Sequence, residues 1–218
     1  MELIIATLVA LLPIINPFST APMFLAMTED YSPEERAEQA RKAVIYMVCI
    51  LAAFLVAGSF IMQFFGLSLP GLRIAGGILV AGVGFRMLYP KDGLQQTRAE
   101  AAETRKKQDI SFTPLAMPSL AGPGAISVTI GLASLAEGWL DYVGILLGIL
   151  LVAAVVFGVM RVATRMVRML GVNGLNAMTK IMGFLILCVG VQFIVNGVVG
   201  VASSPELVGA IVEVLESR

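Results

Sequence analysis

The sequence contains no histidine, and only 14% of its 218 residues are charged, whereas 58% are hydrophobic. Soluble domains are about 25% charged and about 45–50% apolar, so this composition excludes a water-soluble globule. The apolar residues form long unbroken runs and do not alternate with polar residues, which argues against a membrane β-barrel. The sequence therefore predicts an all-α integral membrane protein embedded in the lipid bilayer.

Other features that the sequence lacks argue against further classes of function. Fifteen Lys and Arg residues balance fifteen Asp and Glu residues, and this net charge of +0 argues against a nucleic-acid partner. The missing histidine removes the commonest general base and metal ligand. No apolar run holds a nucleophile beside a base, so we predict neither an enzyme nor a metal or cofactor site. The cysteines, Cys49 and Cys188, lie inside apolar runs and are interpreted as small hydrophobic residues.

Six stretches reach the roughly 20 mostly apolar residues that a membrane-crossing helix needs. They cover residues 3–27, 43–65, 69–89, 112–135, 140–160 and 178–201. All Lys and Arg residues except Arg73 and Arg218 fall in or beside the first, third and fifth connections. Because basic loops stay in the cytoplasm, this asymmetry places both termini outside.

Two features recur in the same order in the two halves of the chain. The third span begins with Arg73-Ile74-Ala75-Gly76 and the sixth with Lys180-Ile181-Met182-Gly183, and the first and fourth spans each carry a double-proline break. Three helices per half force the second half to insert upside down, as in many secondary transporters. The alternative is that glycine-rich apolar helices resemble one another by composition alone.

The predicted organisation is therefore a pair of inverted three-helix repeats, each with a broken first helix. The first repeat covers residues 1–90 and the second covers residues 112–201. A cytoplasmic linker of mixed charge, residues 91–111, separates them, and residues 202–218 form a tail lying at the membrane interface.

The two proline breaks are the candidate substrate site. A proline inside a span removes a backbone hydrogen bond, and in hydrocarbon the freed groups must be satisfied by protein or by a watery cavity. The half-helix that follows a break offers N–H groups suited to a carboxylate. The predicted substrate-binding residues are Asn16, Pro17, Ser19 and Thr20 in the first span, and Gly122, Pro123, Gly124 and Ser127 in the fourth. The alternative is that both breaks are packing kinks.

Several charged, polar and glycine residues in or near the spans are candidates for gating or for helix packing. Arg73 and Lys180 begin repeat-related helices, and act either as a pair of gates or as side chains that snorkel to the headgroups. Gln192 and Asn196 are interpreted as hydrogen-bond partners between helices. The glycines of the third span are predicted to allow close helix contact: Gly76, Gly77, Gly82 and Gly84.

No acidic residue lies deep inside a span, which argues against a carboxylate-based proton relay. If transport is coupled to an ion, Na⁺ or H⁺, the site must use backbone carbonyls or Asn, Ser and Thr side chains. The sequence leaves the coupling ion, the substrate and a homo-oligomeric state open.

The chain resembles the MarC family of inner-membrane proteins. The segments that carry this resemblance are Asn16-Pro17, 72–77, 114–118, 121–126 and Ile181-Met182-Gly183. The resemblance implies six spans and, for some relatives, movement of small neutral amino acids such as alanine, glycine or serine. We therefore expect a secondary transporter for a small neutral amino acid or a similar polar solute. The alternative is an uncoupled channel or a membrane scaffold.

Overall fold

The computed structural model describes residues 2–89 and 109–204, and all regular structure in these two ranges is helical. Most of the predicted linker and most of the predicted C-terminal tail lie outside the described residues. The helices are α1 (Glu2–Ile15), α2 (Pro17–Met27), α3 (Pro33–Phe64), α4 (Leu69–Leu88), α5 (Ser111–Leu120), α6 (Pro123–Ala133), α7 (Trp139–Gly171) and α8 (Asn176–Ala202).

Four helices, α3, α4, α7 and α8, are each long and apolar enough to cross a membrane alone. The pairs α1–α2 and α5–α6 qualify together, and they bend by 44° and 60° at their breaks. The described part of the chain therefore holds between four and six candidate membrane spans, and the predicted breaks of the first and fourth spans are confirmed.

The entry into α3 is fixed by hydrogen bonds at its first turn. Ser32 and Glu35 form a reciprocal capping box, with the Glu35 N–H donating to Ser32 Oγ at 3.2 Å and the Ser32 N–H donating to Glu35 Oε2 at 2.8 Å. Arg36 donates from Nε to the Thr28 carbonyl at 2.8 Å and from Nη2 to the Glu29 carbonyl at 2.9 Å. These hydrogen bonds hold the start of α3 against the residues that follow α2.

The start of α5 is held against the same end of α3. The Ile110 N–H donates to Oε1 of the buried Gln39 at 3.1 Å. Asp109 accepts hydrogen bonds from the backbone and hydroxyl of Ser111 and lies 3.8 Å from Lys42 Nζ. The Ser111 hydrogen bonds, helped by Lys42, lower the pKa of the Asp109 carboxyl. The first connection and the described end of the third, residues 109–110, therefore lie on the same side of the protein, as an even number of intervening spans requires.

The core lies where α7 packs against α1, α2 and α3. Its fully buried side chains include Leu11, Phe24, Met47, Ile145 and Ile149. The apolar window of α7 is 39% buried, the largest share among the four single-helix spans. Both bent pairs pack around this centre, which brings their breaks into the interior of the bundle.

Helices α4 and α8 form an antiparallel pair with glycines at the contact. A Cβ added to Gly77 would lie 2.6 Å from the Gly190 carbonyl oxygen, and one added to Gly84 would lie 2.7 Å from that of Gly183. At the other end, a Cβ on Gly197 would lie 2.8 Å from the Pro70 carbonyl oxygen. The predicted close contact is confirmed for these glycines of α4 but wrong for Gly82, where no atom of the described residues lies within 4 Å of an added Cβ.

Candidate functional site

The first break is centred on Asn16, between α1 and α2. Asn16 has a left-handed backbone with φ 44°, and Pro17 begins α2 directly after it. Asparagine tolerates this conformation better than most residues do, because its short side chain bonds locally. The Asn16 carbonyl accepts from the N–H groups of Ser19 and Thr20, both at 3.2 Å. The break is thus a defined turn that restarts the helix.

The polar side chains of this break bond to one another. Asn16 Nδ2 donates to Ser19 Oγ at 2.8 Å and lies 3.6 Å from Met87 Sδ on α4. The Thr20 hydroxyl donates to the Asn16 carbonyl at 3.2 Å. Asn16 and Thr20 are buried and Ser19 is half-buried. These predicted binding residues therefore form one local network that also contacts α4.

The second break has a more open backbone. Helix α5 has wide turns, because the Leu115 N–H donates to the Ile110 carbonyl at 3.3 Å and the Ala121 N–H to the Ala116 carbonyl at 2.8 Å, five residues back. Gly122 then precedes Pro123, the first residue of α6, and no described side chain caps this helix. The N–H groups of Gly124 and Ala125 belong to the first turn, which has no acceptors inside the helix.

A cavity of about 330 Å³ lies at the second break. Helix α4 forms one wall, the turn between α5 and α6 forms another, and Ile14 reaches it from just before the first break. Its lining residues are Ile14, Leu79, Val80, Val83, Arg86, Pro118, Ser119, Leu120, Gly122, Pro123, Gly124, Ala125 and Ile186. The two breaks therefore face the same interior region, and the second opens directly onto the cavity.

The predicted site residues divide between two environments. Gly122, Pro123 and Gly124 line the cavity. The network of the first break does not line it, although Ile14 beside that network does. Ser127 packs against α4, where a Cβ added to Gly76 would lie 2.6 Å from Ser127 Cβ. The cavity is thus lined by the fourth span more than by the first.

Apart from Gly122, Pro123 and Gly124, the lining residues were not among the predicted site residues, and those with polar side chains are Ser119 and Arg86. The Ser119 hydroxyl donates to the Pro114 carbonyl of the same helix at 2.9 Å. Arg86 lies in the last turn of α4, is exposed, and has no ion-pair partner in ranges 2–89 and 109–204. Its sequence signal was only a basic residue beside a loop, which indicates topology rather than a site.

The predicted gate residues lie at opposite ends of the α4–α8 pair. Arg73 is half-buried near the start of α4, one residue before Ile74, which contacts Gly197 of α8. Lys180 is exposed near the start of α8, close to Gly183 and its contact with Met87. Neither has an ion-pair partner among the described residues.

Replacing Asn16 tests whether its left-handed turn stores backbone strain. We expect Asn16→Ala to lower the free energy of unfolding by about 2–3 kcal/mol, since alanine loses the cap and disfavours positive φ. Asn16→Gly loses the same hydrogen bonds but adopts positive φ freely, so its loss should be smaller by about 1 kcal/mol. Denaturant unfolding in detergent micelles measures both, and equal losses would contradict this assignment.

The part of the chain that forms the helical bundle matches a family of known proteins. The sequence profile described as "MarC family integral membrane protein" matches residues 1–202. The chain belongs to the MarC family. It is 40% identical over 202 residues to the inner membrane protein MarC of Citrobacter koseri, covering 88% of this chain and 91% of that one. The MarC proteins of Escherichia coli and Shigella flexneri are equally similar, with 40% identity over the same shares of each chain.

No solved structure matches this chain. The MarC relatives are inner-membrane proteins by name, and this chain carries long apolar helices over the same region. It is therefore a multi-pass inner-membrane protein of the MarC family.

Proposed function

We propose that this MarC-family protein is a secondary carrier for a small neutral amino acid, such as alanine, glycine or serine. The observation that carries the proposal is the cavity of about 330 Å³ between α4 and the break of the fourth span, which Ile14 of the first span also lines. This volume is at the lower end of the range of small-molecule sites, about 300–1,000 Å³, and so favours a small solute. We propose no enzymatic activity and no cofactor for this protein.

The lining matches the chemistry of a zwitterion. The N–H groups of Gly124 and Ala125, at the positive end of α6, suit a carboxylate, and Arg86 adds a positive charge at the same cavity. The ammonium group would bond to carbonyls freed at the break, of which that of Pro118 lies against Gly122. No acidic side chain is among the lining residues, so a basic amino acid would leave its side-chain charge unpaired.

We propose that the two halves form an inverted repeat, an arrangement typical of carriers rather than of static pores. The repeat-related helices α4 and α8 are antiparallel, as two oppositely inserted halves require. In this proposal the breaks at Asn16 and Gly122 are the pivots, and Arg73 and Lys180 control access from the two faces. Positive-inside asymmetry puts both termini outside.

Coupling to an ion would not use a buried carboxylate. The buried polar side chains among the described residues are threonine, asparagine, glutamine and serine: Thr7, Asn16, Thr20, Thr28, Gln39, Ser111 and Thr129. These groups suit Na⁺ better than a proton relay. Whether Na⁺ or H⁺ drives transport is decided by the gradient that accelerates uptake.

Uptake of labelled alanine, glycine and serine into proteoliposomes tests the proposal. We expect saturable uptake of at least one of them, accelerated by a Na⁺ or a H⁺ gradient. Arg86→Gln should raise KM for the transported amino acid by about tenfold, since a charge-assisted hydrogen bond is worth more than 1 kcal/mol. Arg165→Gln, an exposed arginine on α7 away from the cavity, is the matched control and should leave KM unchanged.

Two results would overturn the carrier proposal. Uptake that rises linearly with concentration, without saturation, would favour an uncoupled channel. No uptake of any of the three amino acids by correctly folded protein would favour a scaffold role. An equal effect of the two arginine substitutions on KM would show that Arg86 does not bind the substrate.

A further inference from the structure

Helix α8 has an outward face without a partner in the described part of the chain. Its glycine face, formed by Gly183, Gly190 and Gly197, packs on α4. The apolar window of α8 is only 17% buried, the lowest share among the four single-helix spans. Most of this helix therefore faces lipid or another protein.

The outward face carries a heptad pattern. Residues 181, 185, 188, 192, 195 and 199 follow one another at intervals of four and three residues, which is the a/d spacing of coiled coils. All six side chains are exposed. At about 100° per residue, Gln192 lies about 200° around the helix from Gly190, so this line is opposite the contact with α4. We call it the α8 seam, and its members are Ile181, Leu185, Cys188, Gln192, Val195 and Val199.

Two amide side chains on this face would be unfavourable in contact with lipid, which cannot form hydrogen bonds with them. Gln192 Nε2 donates to Asn196 Oδ1 at 2.8 Å, and both residues are exposed. At a rise of 1.5 Å per residue they lie about 15 Å and about 9 Å from the C-terminal end of α8, within the depth of a hydrocarbon core about 30 Å thick. Their mutual bond leaves Gln192 Oε1 and both side-chain N–H groups of Asn196 without a partner in the described part of the chain, and hydrocarbon offers none.

We propose that a second copy of this chain covers the α8 seam, forming a parallel two-fold dimer. In such an isologous interface each residue faces its own copy, so a carboxamide meets a carboxamide. An amide carries both donors and acceptors, which makes this pairing self-complementary, and no chemically different partner is needed. A polar residue at one seam position also fixes the register of the two helices, while the aliphatic members supply the packing.

The two cysteines of the chain allow this interface to be tested by cross-linking. Cys188 lies on the seam, whereas Cys49 is an exposed residue of α3. In a parallel dimer Cys188 faces Cys188 of the other copy, close enough for an oxidant such as copper-phenanthroline to join the two thiols. We expect Cys49→Ala, which keeps Cys188, to form covalent dimers in native membranes on a non-reducing gel. Cys188→Ala, which keeps Cys49, should form less than a tenth as much.

A second pair of variants tests the amides. Gln192→Leu in the Cys49→Ala background should weaken dimerisation roughly three- to tenfold in a dilution series of protein in lipid, given the modest strength of interhelical hydrogen bonds. Val191→Leu, an exposed change beside the seam, is the control and should leave dimerisation unchanged.

The proposal is overturned if Cys49→Ala gives no dimers, or if the two single-cysteine variants give equal amounts, as random collisions would. It is also overturned if Gln192→Leu leaves the dilution curve unchanged. None of these results depends on transport, so they leave the proposed carrier function to its own test.

Discussion

Gly84→Leu is expected to prevent α4 and α8 from packing, and this is the largest loss of stability we predict. A Cβ at this position would lie 2.5 Å from the Leu187 nitrogen and 2.9 Å from its Cα. These neighbours are backbone atoms, so no rotamer change relieves the clash and the helices must separate. We expect a loss above about 3 kcal/mol, or roughly 6–12 °C in Tm for a chain of this size.

Gly82→Leu on the same helix is the matched control. Nothing lies within 4 Å of a Cβ at Gly82, and leucine is a better helix former than glycine. Thermal unfolding in detergent measures both variants, and Gly84→Ala should fall between them. Equal melting temperatures for Gly82→Leu and Gly84→Leu would contradict the close contact between α4 and α8 at Gly84.

Val83→Trp is expected to abolish most of the saturable uptake while leaving the protein folded. Val83 lines the cavity from α4 and is 39% exposed, so a larger side chain has room to enter the cavity without displacing the core. An indole there would occupy the space proposed for the amino acid. A loss of at least about 1.4 kcal/mol in binding would reduce uptake at low substrate concentration about tenfold or more.

Ile78→Trp provides the control for Val83→Trp. Ile78 is on the same helix and is 57% exposed, but it does not line the cavity. Initial rates in proteoliposomes, normalised to folded protein, measure both variants. If both support normal saturable uptake, the solute does not pass through this cavity, and the proposed site is wrong even if the protein is a carrier.

The sequence predicts the breaks because proline acts locally. Proline has no N–H and a fixed φ, which suits the first turn of a helix, so Pro17 and Pro123 mark the restart of the helix after each break. Pro13 and Pro22, by contrast, lie inside α1 and α2, so a proline alone does not decide where the helix breaks. The broken spans and the helical fold follow from such local rules and from run length. The inverted repeat stays a prediction from motif order, because α4 and α8 would be antiparallel in any chain with two spans between them.

The cavity could not be predicted because it depends on which distant residues meet. Arg86 and Ser119 are separated by the linker in sequence, yet they line the same space. The glycines of α4 show the same dependence on tertiary packing for residues that are close in the sequence. Gly82 and Gly84 are two residues apart and have identical local propensities, but only Gly84 faces α8. The direction each one faces is set by tertiary packing, which a single sequence does not display.

The length of α7 gives the protein tolerance to membranes of different thickness. Its 33 residues extend for about 50 Å, whereas the hydrocarbon core is about 30 Å thick. Its last turns carry exposed arginines, and the Arg161 guanidinium lies 5.1 Å from the centroid of the Phe157 ring. Long cationic side chains adjust to the level of the headgroups, so hydrophobic mismatch is absorbed along this extension. The broken helices near the bundle centre are then spared the need to tilt when the surrounding lipid changes.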